Sequence, residues 1–327
     1  MKPPFALSLA ACLTAIFSTT GTFAQSPATP TELVDSLNSV FGIHKGARAV
    51  HSKGILVEGL FTPSPTAAAV SKALHLQKQA TPVTVRFSDF SGDPAVADAH
   101  ALANPRGMAI RFHLPGGAQT DLVTHSVNGF PTATATEFRD FNIAIGKSGP
   151  GAAQPTALAG FLTTHPSARA FLALPKPNPA SFTSLGYFGV NSFKFVNAQG
   201  AESFGRYRLV PESGVKTLQD QQTRTASPNY LMDEMRTRLA AKTPSRFRLL
   251  LQLADRTDAL DDPSKPWPET RKLVELGTLD VTRLAGDQAA ERQLVFLPSS
   301  LTPGIEVQDP MVLARSGAYA VSFGRRQ

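Results

Sequence analysis

Cysteine is nearly absent from this 327-residue chain. Cys12 is the only one, so the sequence beyond it has no disulfide, no thiolate nucleophile and no cysteine metal ligand. Long apolar runs are also missing: past the N-terminus no segment offers the ~18 apolar residues that a membrane-crossing helix needs. The 32 Lys and Arg outnumber the 25 Asp and Glu, but they are scattered, with no basic run and no aromatic-basic repeat, which argues against a nucleic-acid partner. Nor is there a G-x-S-x-G, H-E-x-x-H, Walker or G-x-G-x-x-G pattern, and the seven histidines (44, 51, 75, 100, 113, 125, 165) show no paired ligand spacing. The usual hydrolase, zinc and nucleotide chemistries are excluded on that basis. With 42% hydrophobic residues the chain is too apolar to be disordered and is expected to bury a core.

The chain opens with Met1-Lys2-Pro3-Pro4, an apolar run from Phe5 to Phe17, and Thr22-Phe23-Ala24. These are the charged, apolar and small-residue parts of a secretory signal, which predicts cleavage after Ala24, export and a periplasmic location. Leu9-Ala10-Ala11-Cys12 is an alternative lipoprotein processing site, but it leaves a short apolar run before Cys12.

Three regions follow: a signal over 1–24, a helical segment over 25–42 and a single domain over 43–327. Thr29-Pro30-Thr31-Glu32 is a capping box with Pro at the first helical position, and Leu33, Leu37, Val40 and Phe41 recur at helical spacing behind it. From Ile55 onward, β-branched and aromatic runs bounded by Pro and Gly predict antiparallel strands at 55–61, 83–87, 108–112, 191–196, 204–210, 247–253 and 273–281. Asn197-Ala198-Gln199-Gly200 makes the fourth and fifth a hairpin. A second capping box, Thr134 to Glu137, opens a helix carrying Phe138, Phe141 and Ile145 on one face, and 231–241 reads as helical. The fold class is α+β, a large antiparallel meander with inserted and appended helices.

Taken alone, His51 in Arg48-Ala49-Val50-His51-Ser52-Lys53-Gly54 is a weak catalytic signal, because a single histidine before a strand is more often structural. Several further segments occur in order: Val85-Arg86-Phe87-Ser88, Asn104-Pro105-Arg106-Gly107-Met108-Ala109, Asp121-Leu122-Val123, Asn191 to Asn197, Asp262 to Pro268, Pro303-Gly304-Ile305-Glu306 and Arg315-Ser316-Gly317-Ala318-Tyr319. Together, over residues 43–327, they resemble the haem catalase superfamily, and within it the small exported catalase-related peroxidases.

The resemblance implies an antiparallel β-barrel of about eight strands, haem b as cofactor, and reduction of hydrogen peroxide or organic hydroperoxides by a small-molecule electron donor, with weak catalase activity. It leaves a homo-oligomer open. Tyr319 would be the iron ligand and Arg315 its partner; spaced i,i+4, the two share a helix face, and a free phenol with a pKa of ~10 needs a nearby cation to stay ionised. His51 would be the distal acid and base with Ser88 beside it; Arg48, Arg86 and Arg326 would hold the propionates, and Phe130 and Phe138 would line the pocket. Lys53 and Gly54 read as structural. The chain departs from the family after Asp121-Leu122-Val123: where an asparagine is usual, counting places His125, and Asn128 reaches the site only if the loop shifts register. A hydroperoxide isomerase resembling allene oxide synthases and a non-catalytic haem-binding protein are the rival readings.

Overall fold

The computed structural model describes Met1 and residues 26–327, so the export signal predicted over 1–24, with Cys12, lies outside the described residues apart from Met1. In chain order the elements are α1 (Pro30–Phe41), β1 (Gly54–Pro63), α2 (Ala67–Val70), β2 (Thr81–Ser88), β3 (Gly107–His113), β4 (Gln119–His125), α3 (Ala135–Gly146), α4 (Ala157–Thr164), α5 (Pro166–Ala173), β5 (Tyr187–Phe188), β6 (Phe193–Val196), β7 (Glu202–Pro211), α6 (Asp220–Thr225), α7 (Tyr230–Ala240), β8 (Ser245–Leu253), β9 (Leu273–Leu284), β10 (Ile305–Val307) and α8 (Met311–Arg325). Both predicted capping boxes form. In α1 the Glu32 N–H donates to Thr29 Oγ1 at 3.2 Å while the Thr29 N–H donates to Glu32 Oε2 at 2.7 Å, and Thr134 and Glu137 repeat the exchange in α3.

All strand pairings are antiparallel, in the order β7-β5-β4-β3-β2-β1-β9-β8, and β8 pairs back with β7 to close an eight-stranded barrel. Closure leaves these strands no free edge. β6 and β10 extend the sheet from β7, and β6 and β7 are the expected hairpin: Asn197 Oδ1 accepts from the Gln199 and Ala201 N–H groups, and Gly200 turns the chain at φ +80°.

Strand alternation divides the barrel wall into two chemistries. Val85, Phe87, Ile110, Phe112, Leu122, Tyr207, Leu209, Phe247 and Leu249 are buried in the interior, which is filled by side chains. On the outer face of the same strands stand Arg86, Ser88, Gly107, Ala109, Val123 and His125. Against that outer face pack α1, α3 and α8, where Leu33, Val34 and Ala318 form a second apolar cluster. α1, the helix expected within the 25–42 segment, is therefore part of the wall that encloses the site. A buried, bidentate pair, Arg111 with Asp121 at 2.9 and 2.8 Å, faces the same way, and Asp121 also accepts the Leu297 N–H, fastening the 295–297 stretch over the outer wall.

His75 lies inside the barrel core, its ring 4.5 Å from that of Phe112 and tilted toward Phe61. Burial pushes its imidazole down to about 3. Unfolded, the group titrates near ~6.5, so between that pH and about 3 the unfolded chain holds a proton that the native chain does not, and acidification favours unfolding. His75→Phe removes this effect. Urea melts from pH 7 to pH 5 are expected to show the variant losing stability less steeply than the parent by up to about 1.4 kcal/mol per pH unit below pH 6. Parallel pH profiles would show that His75 titrates normally in the native chain.

Candidate active site

Between the outer barrel wall and helices α1, α3 and α8 lies a cavity of about 500 Å³, within the range of small-molecule sites. Its lining is mostly apolar, and every residue given a catalytic, iron-ligand or haem-holding role from the sequence, from Arg48 to Arg326, lines it.

His51 stands on the connection into β1 with φ +57°, a left-handed backbone that costs a histidine about 1–3 kcal/mol and is tolerated where its surroundings enforce it. The surroundings do so. Its N–H donates to Phe90 O at 2.8 Å, its carbonyl accepts from Arg86 Nη2 at 2.8 Å, and its ring meets the Phe90 ring edge-on at 5.3 Å. His51 Nδ1 and Ser88 Oγ are hydrogen-bonded at 3.0 Å; with Nδ1–H as donor, the Nε2 lone pair is free to take a proton. Burial, with Arg86 next, pushes the imidazole down to about 3, so it is neutral at pH 7. Gly107 permits this approach. A Cβ there would stand 2.6 Å from Ser88 Oγ and 2.8 Å from the His51 ring. Lys53 is occupied by Asp98 and by the Val96 and Pro228 carbonyls, a structural role.

Tyr319 is supplied by α8. One turn earlier Arg315 donates from Nη2 to Tyr319 Oη at 2.8 Å and from Nη1 to Asn191 Oδ1; Asn191 Nδ2 in turn donates to Asp309 Oδ2 at 2.7 Å. Asp309 also accepts the Met311 N–H, the first of α8, so one carboxylate holds both the start of that helix and the chain of hydrogen bonds that ends on the phenol. The positions of Asn191 and Asp309 in this chain of bonds were not legible in the sequence, because they lie in separate segments that only the fold joins to α8.

The arginines gather at one edge. Arg48 Nη1 and Arg86 Nε each donate to Glu291 Oε1 at 2.7 Å, while Arg48 Nη2 and Arg326 Nη2 share the Leu294 carbonyl at 3.0 and 2.6 Å. Burial, then Arg86 and Arg326, pull the Arg48 guanidinium down to about 8, and burial followed by Arg86 brings Arg326 to about 10. Three guanidiniums thus share one nearby carboxylate. Burial alone would raise the Glu291 carboxyl, but Arg86 and Arg48 overcome it and hold the group below its ordinary value. No local pattern marks Glu291; it reaches the site on a short 3-10 helix, Ala289–Gln293, 243 residues from Arg48.

Phe130 and Phe138 stack at an angle, centroids 5.0 Å apart, on another wall of the cavity. The register question after Val123 has a clear answer: His125 ends β4 and lines the cavity, whereas Asn128 Nδ2 donates to Glu269 at 2.9 Å, and Glu269 is held in turn by Arg208.

The catalase family profile matches residues 32–326. A catalase-related peroxidase of Mycolicibacterium paratuberculosis is 35% identical over 305 residues, 91% of this chain and 95% of that one. A second, from Synechococcus elongatus, is 30% identical over 328 residues, 98% of this chain and 95% of that one. A fungal catalase crystal structure superposes with a TM-score of 0.77 at 21% identity over 100% of this chain, which spans 66% of it; at that identity the likeness concerns the fold. With a profile that runs from α1 to the last turn of α8, the chain belongs to the catalase family.

Proposed function

We propose that this chain is a haem b-dependent peroxidase that reduces hydrogen peroxide or organic hydroperoxides with a small-molecule electron donor, has weak catalase activity, and works in the periplasm. It is an oxidoreductase acting on peroxide, as its family is. One observation carries the reading: a single apolar cavity is lined both by a tyrosine held by an arginine and by a strained histidine held by a serine. The strain at His51 favours catalysis over haem carriage, since a carrier has no use for a left-handed histidine.

The residues present fit a haem. Tyr319 would ligate the iron with Arg315 supporting its phenolate; Arg48, Arg86 and Arg326 would hold the propionates, whose two charges match the surplus of guanidinium over carboxylate at that edge. Phe130 and Phe138 would flank the ring. Bound there, the haem would supply the two electrons that cleaving the peroxide O–O bond requires, which the small-molecule donor would then restore. His51 Nε2 takes the proton from one peroxide oxygen and returns it to the other as that oxygen leaves, while Ser88 keeps the ring in the orientation both transfers need. The phenylalanines and leucines of the lining exclude bulk water. Dismutation asks for more, because a second hydrogen peroxide must be oriented for two-electron oxidation, and the Asn128 amide is committed to Glu269 away from the cavity.

Glu291 competes with the propionates for Arg48 and Arg86 in this arrangement. Glu291→Gln is expected to weaken the haem-free chain by ~1–3 kcal/mol and to tighten haem about tenfold, read by thermal melts and by haem transfer to an apo-acceptor. Unchanged haem affinity would remove Glu291 from this role.

The reading is tested by the visible spectrum and by paired assays: oxygen release from hydrogen peroxide alongside oxidation of a chromogenic donor by an alkyl hydroperoxide. A Soret band with donor oxidation dominating is expected. Oxygen release at efficiencies of ~10⁷ M⁻¹s⁻¹ or more without donor oxidation would make this a true catalase. The absence of a Soret band after expression with adequate haem would end the haem assignment.

A further inference from the structure

Between Asp140 and Glu202 the chain carries no acidic residue. Of the cations there, Lys194 pairs with Glu202 and Glu306, while Lys147, Arg169 and Lys176 meet no carboxylate among the described residues. The middle of that stretch folds into α4 and α5, and it is apolar without being covered. No residue of α4 is buried, and only Ala168 of α5 is. Ala157, Ala159, Gly160 and Ala170 stand exposed on the two helices, and Leu172 and Leu174 are 42% and 36% exposed. An ordinary surface helix turns its apolar residues toward the core and keeps polar ones outside.

The same surface opens onto the site. Phe171 and Leu172 line the cavity together with Leu102, itself 47% exposed, so apolar surface continues from the outside of α5 into the mouth. Lys176 stands at that mouth: its Nζ donates to Phe171 O at 2.7 Å and to Leu174 O at 3.1 Å, and its carbonyl accepts from Asn104 Nδ2 at 3.3 Å. No carboxylate lines the cavity. An exposed apolar patch marks a contact with another molecule, and cations unaccompanied by acids suit a partner of negative charge. A second copy docked patch to patch would bring like charges together, whereas an anionic bilayer offers the opposite charge and acyl chains for the leucines. We propose that α4, α5 and Leu174 rest on an anionic lipid bilayer and, on the peroxidase reading above, that the mouth takes acyl hydroperoxides directly from it. At eight residues each, the two helices lie on the surface and do not cross it. The chemistry is that of the site already described: the acyl hydroperoxide takes two electrons from the donor and two protons, and leaves as an alcohol and water.

The test floats the purified protein with vesicles of phosphatidylglycerol or of phosphatidylcholine. Binding to the anionic vesicles should be about tenfold tighter or more, and should weaken about tenfold in the double variant Arg169→Glu with Leu174→Gln, which reverses one charge and removes one apolar anchor. Ala170→Glu should weaken it about threefold by itself. Arg283→Glu on β9, the same change in net charge outside this segment, should bind as the parent does. Turnover of tert-butyl hydroperoxide in solution should be unchanged in the double variant, because neither residue lines the cavity. Turnover of hydroperoxidised dilinoleoyl phosphatidylglycerol in vesicles should fall about tenfold in the same variant. A parent that does not float with anionic vesicles, or a double variant that floats as well as the parent, would overturn the proposal. So would a parent oligomer that the double variant dissociates in sedimentation, since the patch would then be an interface between copies. A parent that floats but oxidises no donor with either hydroperoxide would overturn the peroxidase reading, and the delivery with it, while the docking surface stands.

Discussion

Tyr319→Phe folds but does not retain haem in its native ligation: the expected spectrum has no Soret band, or one shifted to a different ligand set. The ring keeps its place on α8, and what is lost is the single oxygen that Arg315 holds at 2.8 Å. Removing that acceptor also leaves one arm of a guanidinium unpaired beside the cavity, at a cost of ~1–3 kcal/mol, which a domain of this size can absorb. Arg315 keeps its other arm on Asn191, and Asp309 still accepts the Met311 N–H, so circular dichroism should change little and the melting point should fall by only a few degrees. The loss is therefore one of ligation rather than of fold. An unchanged ferric spectrum in this variant would eliminate Tyr319 as the iron ligand.

His51→Ala is expected to bind haem as the parent does and to react with peroxide ~10² times more slowly or worse, the usual consequence of removing a positioned acid and base. The backbone bonds that hold residue 51, to Phe90 and from Arg86, do not involve its side chain, so the loop should keep its course. Stopped-flow mixing with peroxide reads the first spectral change directly. In the parent this rate should be flat from pH 8 down to about 5, because burial holds the imidazole neutral until pH falls near 3. Ser88→Ala should cost much less, since a serine that orients the ring contributes one hydrogen bond of about 1 kcal/mol. A loss under threefold in His51→Ala would mean that another group moves the proton.

The strands were legible because an antiparallel wall with a filled interior imposes period-two alternation: β1, β2, β3, β7, β8 and β9 all lie where alternating apolar runs placed them. The elements that escaped reading have physical reasons. β5 and β10 are two and three residues long, too short to alternate, and they exist only because neighbouring strands offer free hydrogen-bonding groups. β4 was visible only as the motif Asp121-Leu122-Val123. In α4 no residue is buried and in α5 only Ala168 is, so neither carries the apolar stripe from which a helix is recognised.

By itself the sequence determined the capped helix starts, the alternation that separates barrel interior from outer wall, and the Arg315 to Tyr319 spacing that one helical turn makes into a contact. These are local, set by backbone geometry within a few residues. It also placed His51 before β1 and named the arginines, but not what they meet. Only the tertiary structure decided that His51 meets Ser88 beside Gly107, that Asn191 and Asp309 continue the line from Tyr319, that Glu291 pairs with both Arg48 and Arg86, and that His125 rather than Asn128 lines the cavity. Each of these pairs residues far apart in the chain, and such contacts are fixed by barrel register and by the packing of α1, α3 and α8, to which local propensity is blind.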